Sequence, residues 1–103
     1  MAATEDVRVD ASRRELWLRR RGRWTRVEGL TVRELQLLET LLGRGGLVAT
    51  REELLVAVWG DGEGVQPGVV DKHVASLRRK LGSVGRRIHS VYGVGYALAR
   101  PPQ

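Results

Sequence analysis

Pro67-Gly68-Val69-Val70-Asp71-Lys72-His73-Val74-Ala75-Ser76-Leu77-Arg78-Arg79-Lys80-Leu81 decides how the rest of the chain is read. On a helical wheel Val70, Val74, Leu77 and Leu81 fall in one row, the spacing of a core-facing stripe. The opposite side carries Gly68, Lys72, Ala75, Ser76 and Arg79, small enough for close approach of a large partner or cationic enough to attract an anionic one. Pro67 suits the first helical position, since its missing N–H would have no intrahelical partner, and Asp71 puts a negative charge in the first turn. Arg78, Arg79 and Lys80 occupy the last turn, and Gly82 is suited to a left-handed stop. The pattern predicts an amphipathic helix over 67–81 that packs with one side and leaves the other free for a large or anionic partner.

Working outward, Leu30-Thr31-Val32-Arg33-Glu34 and Thr50-Arg51-Glu52-Glu53 each place a threonine three residues before a glutamate, the signature of a capping box that starts a helix. The first helix has Leu35, Leu38, Leu41 and Leu42 at helical spacing and ends at Gly43 and Gly45-Gly46. The second has Leu54, Leu55, Val58 and Trp59 on its apolar side. Leu47-Val48-Ala49 between them reads as a brief strand or extended link. Gly60-Asp61-Gly62-Glu63-Gly64 reads as an exposed loop, because alternating glycine gives up too much backbone entropy to persist in a helix. Before residue 28 the period is two: strands are expected at about 7–10, 14–20 and 23–28, with turns near Ala11-Ser12 and Arg21-Gly22. After Gly82, a strand-like run over 86–92 turns at Gly93-Val94-Gly95 into Tyr96-Ala97-Leu98-Ala99, a terminal hairpin. Residues 1–6 are expected to be disordered, 7–100 to form one domain, and 101–103 to be a tail.

One domain also follows from 103 residues with 42% hydrophobic content. Eighteen Lys and Arg against twelve Asp and Glu leave a formal charge of +6, which favours an anionic partner such as nucleic acid without identifying one. Much of it sits in Arg13, Arg14, Arg19, Arg20, Arg21, Arg23 and Arg26, either an auxiliary anion-binding surface or a charge-protected sheet edge. The absence of cysteine rules out disulfides and thiolate metal sites. No apolar run approaches a membrane span and no signal peptide is present, so a cytoplasmic protein without membrane contact is expected.

Together the four blocks Leu30-Thr31-x-x-Glu34-Leu35-x-Leu37-Leu38, Thr50-Arg51-Glu52-Glu53-Leu54-Leu55 with Val58-Trp59-Gly60, Val70-Asp71-x-His73-Val74-x-x-Leu77-Arg78-Arg79-Lys80-Leu81-Gly82, and Gly93-Val94-Gly95-Tyr96 resemble the OmpR/PhoB-type winged-helix domain, the effector module of many bacterial response regulators. The resemblance implies an α+β fold: an N-terminal antiparallel sheet, three helices forming a winged helix-turn-helix, and a C-terminal β-hairpin wing. It implies sequence-specific binding of double-stranded DNA by a transcriptional regulator, with the third helix in the major groove and the wing on the adjacent minor groove or backbone. Binding as a dimer or tandem on direct repeats is expected, and the loop 60–66 is similar in position to a segment that meets RNA polymerase in some family members. Family members usually carry a phosphorylatable receiver domain before this module; here a larger regulator or a stand-alone module both remain open.

Carried over position by position, the resemblance makes His73, Arg78, Arg79 and Lys80 candidates for phosphate contacts, with Trp59 through its indole N–H and Arg51 at the second helix's start. Trp59 is equally suited to the core and Arg51 to a solvated first turn. Lys72 is the candidate for reaching bases. The sequence departs from the family where arginines or threonine commonly stand: Gly68 and Val69 precede the Val-Asp pair, Ala75 and Ser76 follow the histidine, and Tyr92 precedes the Gly-x-Gly. Either the site is read by Lys72, Ser76, thymine-methyl contacts from Ala75 and DNA shape, or DNA binding is weak and the fold serves a protein contact. Arg86, Arg87 and His89 on the wing's first strand are candidates to replace a missing phosphate contact. No cofactor, metal site, small-molecule substrate or catalytic signature is expected: His73 and His89 lie on different elements, and Gly93-Val94-Gly95 lacks the third glycine and following helix of a dinucleotide fingerprint.

Overall fold

The computed structural model describes residues 1–60 and 64–100. Its elements run β1 (Ala2–Ala3), β2 (Val7–Asp10), β3 (Glu15–Arg20), β4 (Arg23–Arg26), α1 (Val32–Gly43), β5 (Ala49–Thr50), α2 (Arg51–Trp59), α3 (Gly68–Leu81), a 3-10 turn (Val84–Arg87), β6 (Ile88–Val91) and β7 (Gly95–Leu98). An antiparallel sheet in the order β1-β2-β3-β4 stands at the N-terminal end, and a three-stranded sheet β5-β7-β6 closes the other. This is the expected α+β winged helix.

Strict alternation sets the first sheet: Val7, Val9, Leu16 and Leu18 turn inward and are almost wholly buried, while Arg8, Trp17 and Arg19 face out. Both capping boxes form, with Thr31 Oγ1 accepting from Glu34 N and Thr50 Oγ1 from Glu53 N, and each glutamate accepting in return from its threonine N–H. Such caps are worth ~1 kcal/mol each, so these helices start where the sequence marks them. Leu35, Leu37, Leu38 and Leu41 of α1 meet Val70, Val74, Leu77 and Leu81 of α3 in one core shared by both sheets.

Four expectations need correction. Residues 1–6 are ordered in part: Ala2 and Ala3 pair with Val9 and Arg8, because β2 would otherwise be a bare edge, and Thr4 N donates to Val7 O at 2.8 Å. The stretch 86–92 is not one strand, since Arg86 and Arg87 belong to the 3-10 turn. Gly85 explains that turn, for a Cβ there would lie 2.3 Å from Arg78 O, and its absence lets the chain press against α3 and bury Val84. Pro67 stands just outside α3, although its φ of −54° and ψ of −26° are helical and its carbonyl accepts from Val70 N. Gly82 ends α3 with φ 60° but ψ −123°, outside the left-handed helical region. Residues 61–63 of the polymerase-type loop, and the tail 101–103, lie outside the described residues.

Candidate nucleic-acid interface

Val70, Val74, Leu77 and Leu81 are each 0% exposed, so the inner ridge of α3 is fully committed to the core. Its other side is open: Gly68, Lys72, Ala75 and Arg79 are exposed, and His73, Ser76 and Arg78 are half-buried. Among the described residues Lys72 and Arg79 make no ion pair.

The three consecutive cations of the last turn have separate fates. Arg78 turns to the wing, donating from Nε and Nη2 to Ile88 O at 3.1 and 2.7 Å and from Nη2 to Ser90 Oγ at 2.9 Å. Lys80 reaches across to α1, where its Nζ lies 2.8 Å from Glu34 Oε1. Glu34 is 2% exposed and also accepts from Thr31 N at 2.7 Å. Burial pushes its pKa up, but the bonds from Lys80, Ser76 and Thr31 outweigh burial and hold it below the ordinary glutamate value. Arg79 alone of the three is exposed with neither a fold contact of Arg78's kind nor, among the described residues, a carboxylate partner.

A second cluster joins α2, α3 and the wing. Arg51 Nε lies 2.9 Å from Asp71 Oδ1, and the Tyr96 hydroxyl donates to the same oxygen. The Tyr96 bond, with help from Arg51, lowers the Asp71 pKa against the opposing effect of burial. Burial and that same carboxylate raise the Tyr96 pKa. The guanidinium carbons of Arg51 and Arg78 stand 5.5 and 5.4 Å from the Tyr96 ring centre, so two cations lie within reach of the ring. Asp71 is thereby a fastening between α3's first turn and β7.

Trp59 is half-buried against the core, its ring meeting His73 edge-on with centroids 5.0 Å apart. His73 Nδ1 sits 2.9 Å from Val69 O and must donate, since a carbonyl only accepts; Nε2 then donates only from the imidazolium form. Arg86 is exposed beside Arg78, Arg79 and Ser83 in a shallow groove at α3's end. Arg87 points inward instead, with Nη1 and Nη2 at 3.0 and 3.2 Å from the Asp6 carboxylate and 13% of its side chain exposed, a correction to its place on the wing. Tyr92 stands fully exposed at the wing tip.

The structure thus gathers Gly68, Lys72, Ala75, Ser76 and Arg79 on one open surface, while Arg51, Lys80 and Arg87 hold acidic partners within the domain. Sequence reasoning missed Asp71, Tyr96 and Ser90 as fastenings, and Glu34 as a buried anchor for Lys80. The double use of Glu34 has no local signal, since Lys80 is 46 residues away.

Comparison with known proteins places this geometry. The transcriptional regulatory protein CseB of Streptomyces coelicolor is 42% identical over 93 residues, 90% of this chain and 37% of the relative. The chain therefore spans well under half the length of the curated relatives it matches. Response regulator DrrB, an OmpR/PhoB homologue of Thermotoga maritima, superimposes with TM-score 0.74 at 30% identity over 95% of this chain and 43% of that one. The Klebsiella pneumoniae RstA DNA-binding domain, solved in complex with the RstA box, superimposes with TM-score 0.71 at 26% identity over 94% of each chain. A family profile described as transcriptional regulatory protein, C terminal, matches residues 26–98, and with the winged helix and its two-sided third helix in place, the chain belongs to that OmpR/PhoB-type family.

Proposed function

We propose that this chain binds double-stranded DNA with sequence preference as the DNA-binding part of a bacterial transcriptional regulator, laying α3 in the major groove and the β6–β7 wing on the adjacent minor groove or backbone. The observation that carries this reading is the division of α3: a ridge with no exposure, and an opposite side where exposed Lys72 stands between the small residues Gly68 and Ala75, with exposed Arg79 one turn beyond Ala75. Small residues let a helix sit deep in a groove ~12 Å wide, where base edges are distinguishable. Lys72 reaches bases and Ala75 meets a thymine methyl. Arg79, Arg86 and the Trp59 indole N–H serve phosphates, and His73 Nε2 does so only as the imidazolium. Arg78 orients the wing rather than competing for DNA. Arg51, Lys80 and Arg87 contribute to the local potential while keeping their carboxylate partners. The protein acts in the cytoplasm on the nucleoid, as a tandem or dimer on direct repeats, with RNA polymerase as a further partner through residues 60–66.

The test is selection of bound duplexes from a random pool, followed by gel shift across a salt series. We expect a defined site, with each lost phosphate contact reducing the log–log salt slope by ~0.9. No shift at low salt, or equal affinity for every duplex, removes the reading. A second reading, a protein-contact module for RNA polymerase or another regulator, draws on the small residues Gly68 and Ala75 and on exposed Tyr92. A polymerase pull-down that survives Lys72→Ala plus Arg79→Ala, in a chain that shifts no DNA, would favour it.

A further inference from the structure

We infer that the wing reads DNA without charge: Tyr92, with Val94 beside it, is a specificity-determining wedge that enters the minor groove and favours easily unstacked base steps flanking the α3 site. The inference rests on the proposed DNA binding and deepens it. In a chain with 18 Lys and Arg, residues 88–98 contain neither, and His89 is the sole titratable side chain there besides Tyr92 and Tyr96. A cationic wing would be drawn to the strong negative potential of a narrow A·T minor groove. This wing has no arginine or lysine of its own to answer that potential. What it offers at its tip is apolar: Tyr92 is 101% exposed and Val94 43%.

The tip is also held still, as a wedge must be. Val94 N donates to Val91 O at 2.9 Å, closing the turn, and Gly93 takes the positive φ of 73° that the turn needs. Arg51 N donates to Val94 O at 3.3 Å, and Gly95 lies so close to β5 that a Cβ would sit 1.9 Å from Ala49 O. The next residue, Tyr96, is fastened to Asp71 on α3's first turn. The tip therefore keeps a fixed position relative to the groove-reading end of α3. Apolar wedges in the minor groove partly unstack base steps, and pyrimidine–purine steps yield most readily. A phenol ring adds a stacking face and a hydroxyl that can donate to the O2 and N3 acceptors of the groove floor.

The experiment uses the full chain and the duplex it selects from a random pool, carrying 2-aminopurine in the flanking step. Tyr92→Ala is expected to weaken binding about tenfold, the scale of one lost aromatic–base contact, with the salt slope unchanged. It should also abolish the 2-aminopurine fluorescence change. Tyr92→Phe should bind within about threefold of the parent if the ring is what matters. Tyr92→Arg should steepen the salt slope by ~0.9 and shift the selected flank towards A·T runs. Exposure at the tip makes misfolding a poor explanation for any of these losses. Unchanged affinity in Tyr92→Ala, while Lys72→Ala still weakens binding, overturns the wedge and leaves the DNA reading standing. Failure of the parent chain to select any duplex overturns both. Unchanged DNA binding in Tyr92→Ala, with loss of polymerase capture, overturns the wedge in favour of a protein contact.

Discussion

Two antiparallel hairpins of this domain have opposite chemistry. The β3–β4 hairpin turns tightly at Arg21 and Gly22, both with positive φ (52° and 75°), and carries Arg19, Arg20, Arg21, Arg23 and Arg26. The β6–β7 wing turns through one residue more and carries no arginine or lysine. The first belongs to the scaffold: Arg20 Nη2 reaches Leu81 O at 3.4 Å, placing a cation at the carbonyl end of α3, where it interacts favourably with the helix dipole. The second belongs to the reading surface of the proposed binding mode. A large share of the chain's positive charge therefore lies where it keeps an exposed sheet apart from its neighbours, and the overall +6 overstates the charge that meets DNA.

The sharpest way to break the contrast is at one glycine of each hairpin. Gly95→Ala should destabilise the domain by about 3 kcal/mol, since its Cβ has no room against the Ala49 carbonyl, and urea unfolding should report it. Next in size is Glu34→Gln, which leaves Lys80 without its buried counter-charge; a loss of about 2 kcal/mol is expected in the same assay. The folded-state pKa of Glu34 is lowered, so its stabilisation is present above the unfolded value of ~4.3 and is lost as pH falls through the folded one. Acid unfolding should therefore be shallower in the Gln variant. Gly22→Ala has open space around it and should cost only about 1 kcal/mol, for the positive φ alone. Smallest of all, Arg20→Glu with Arg21→Glu should change stability by under ~1 kcal/mol. It should also leave binding of a selected duplex within about tenfold, through the general potential only. Complete loss of binding in that variant, with α3 intact, would mean that the first hairpin is itself a nucleic-acid site.

Much of the fold was legible because its signals are local. The two Thr-x-x-Glu boxes fix the starts of α1 and α2, and the Val70–Leu81 row fixes which side of α3 is buried. The short alternations at 7–10 and 14–20 mark the first sheet, whose second strand begins one residue later, at Glu15. What sequence could not reveal depends on partners far along the chain. Ala2 and Ala3 carry no strand signal of their own and become a strand because β2 has a free edge. Arg86 and Arg87 read as strand, yet a glycine pressed against α3 bends them into a 3-10 turn. In the site, Arg78, Arg79 and Lys80 look alike in sequence, but only the fold tells which meets a carbonyl, which meets solvent and which meets a buried glutamate.

The fastening of Tyr96 to Asp71, together with the close seat of Gly95 on β5, gives the domain the character of a ruler. Because wing and helix are tied to each other, the interval between the two DNA segments they touch in the proposed binding mode is set when the chain folds. One inserted base pair in that interval would move the second segment by about 3.4 Å and rotate it by roughly 35° about the duplex axis. A stiff two-pronged gauge cannot follow that screw motion, so a lengthened site would be gripped at one prong and missed by the other.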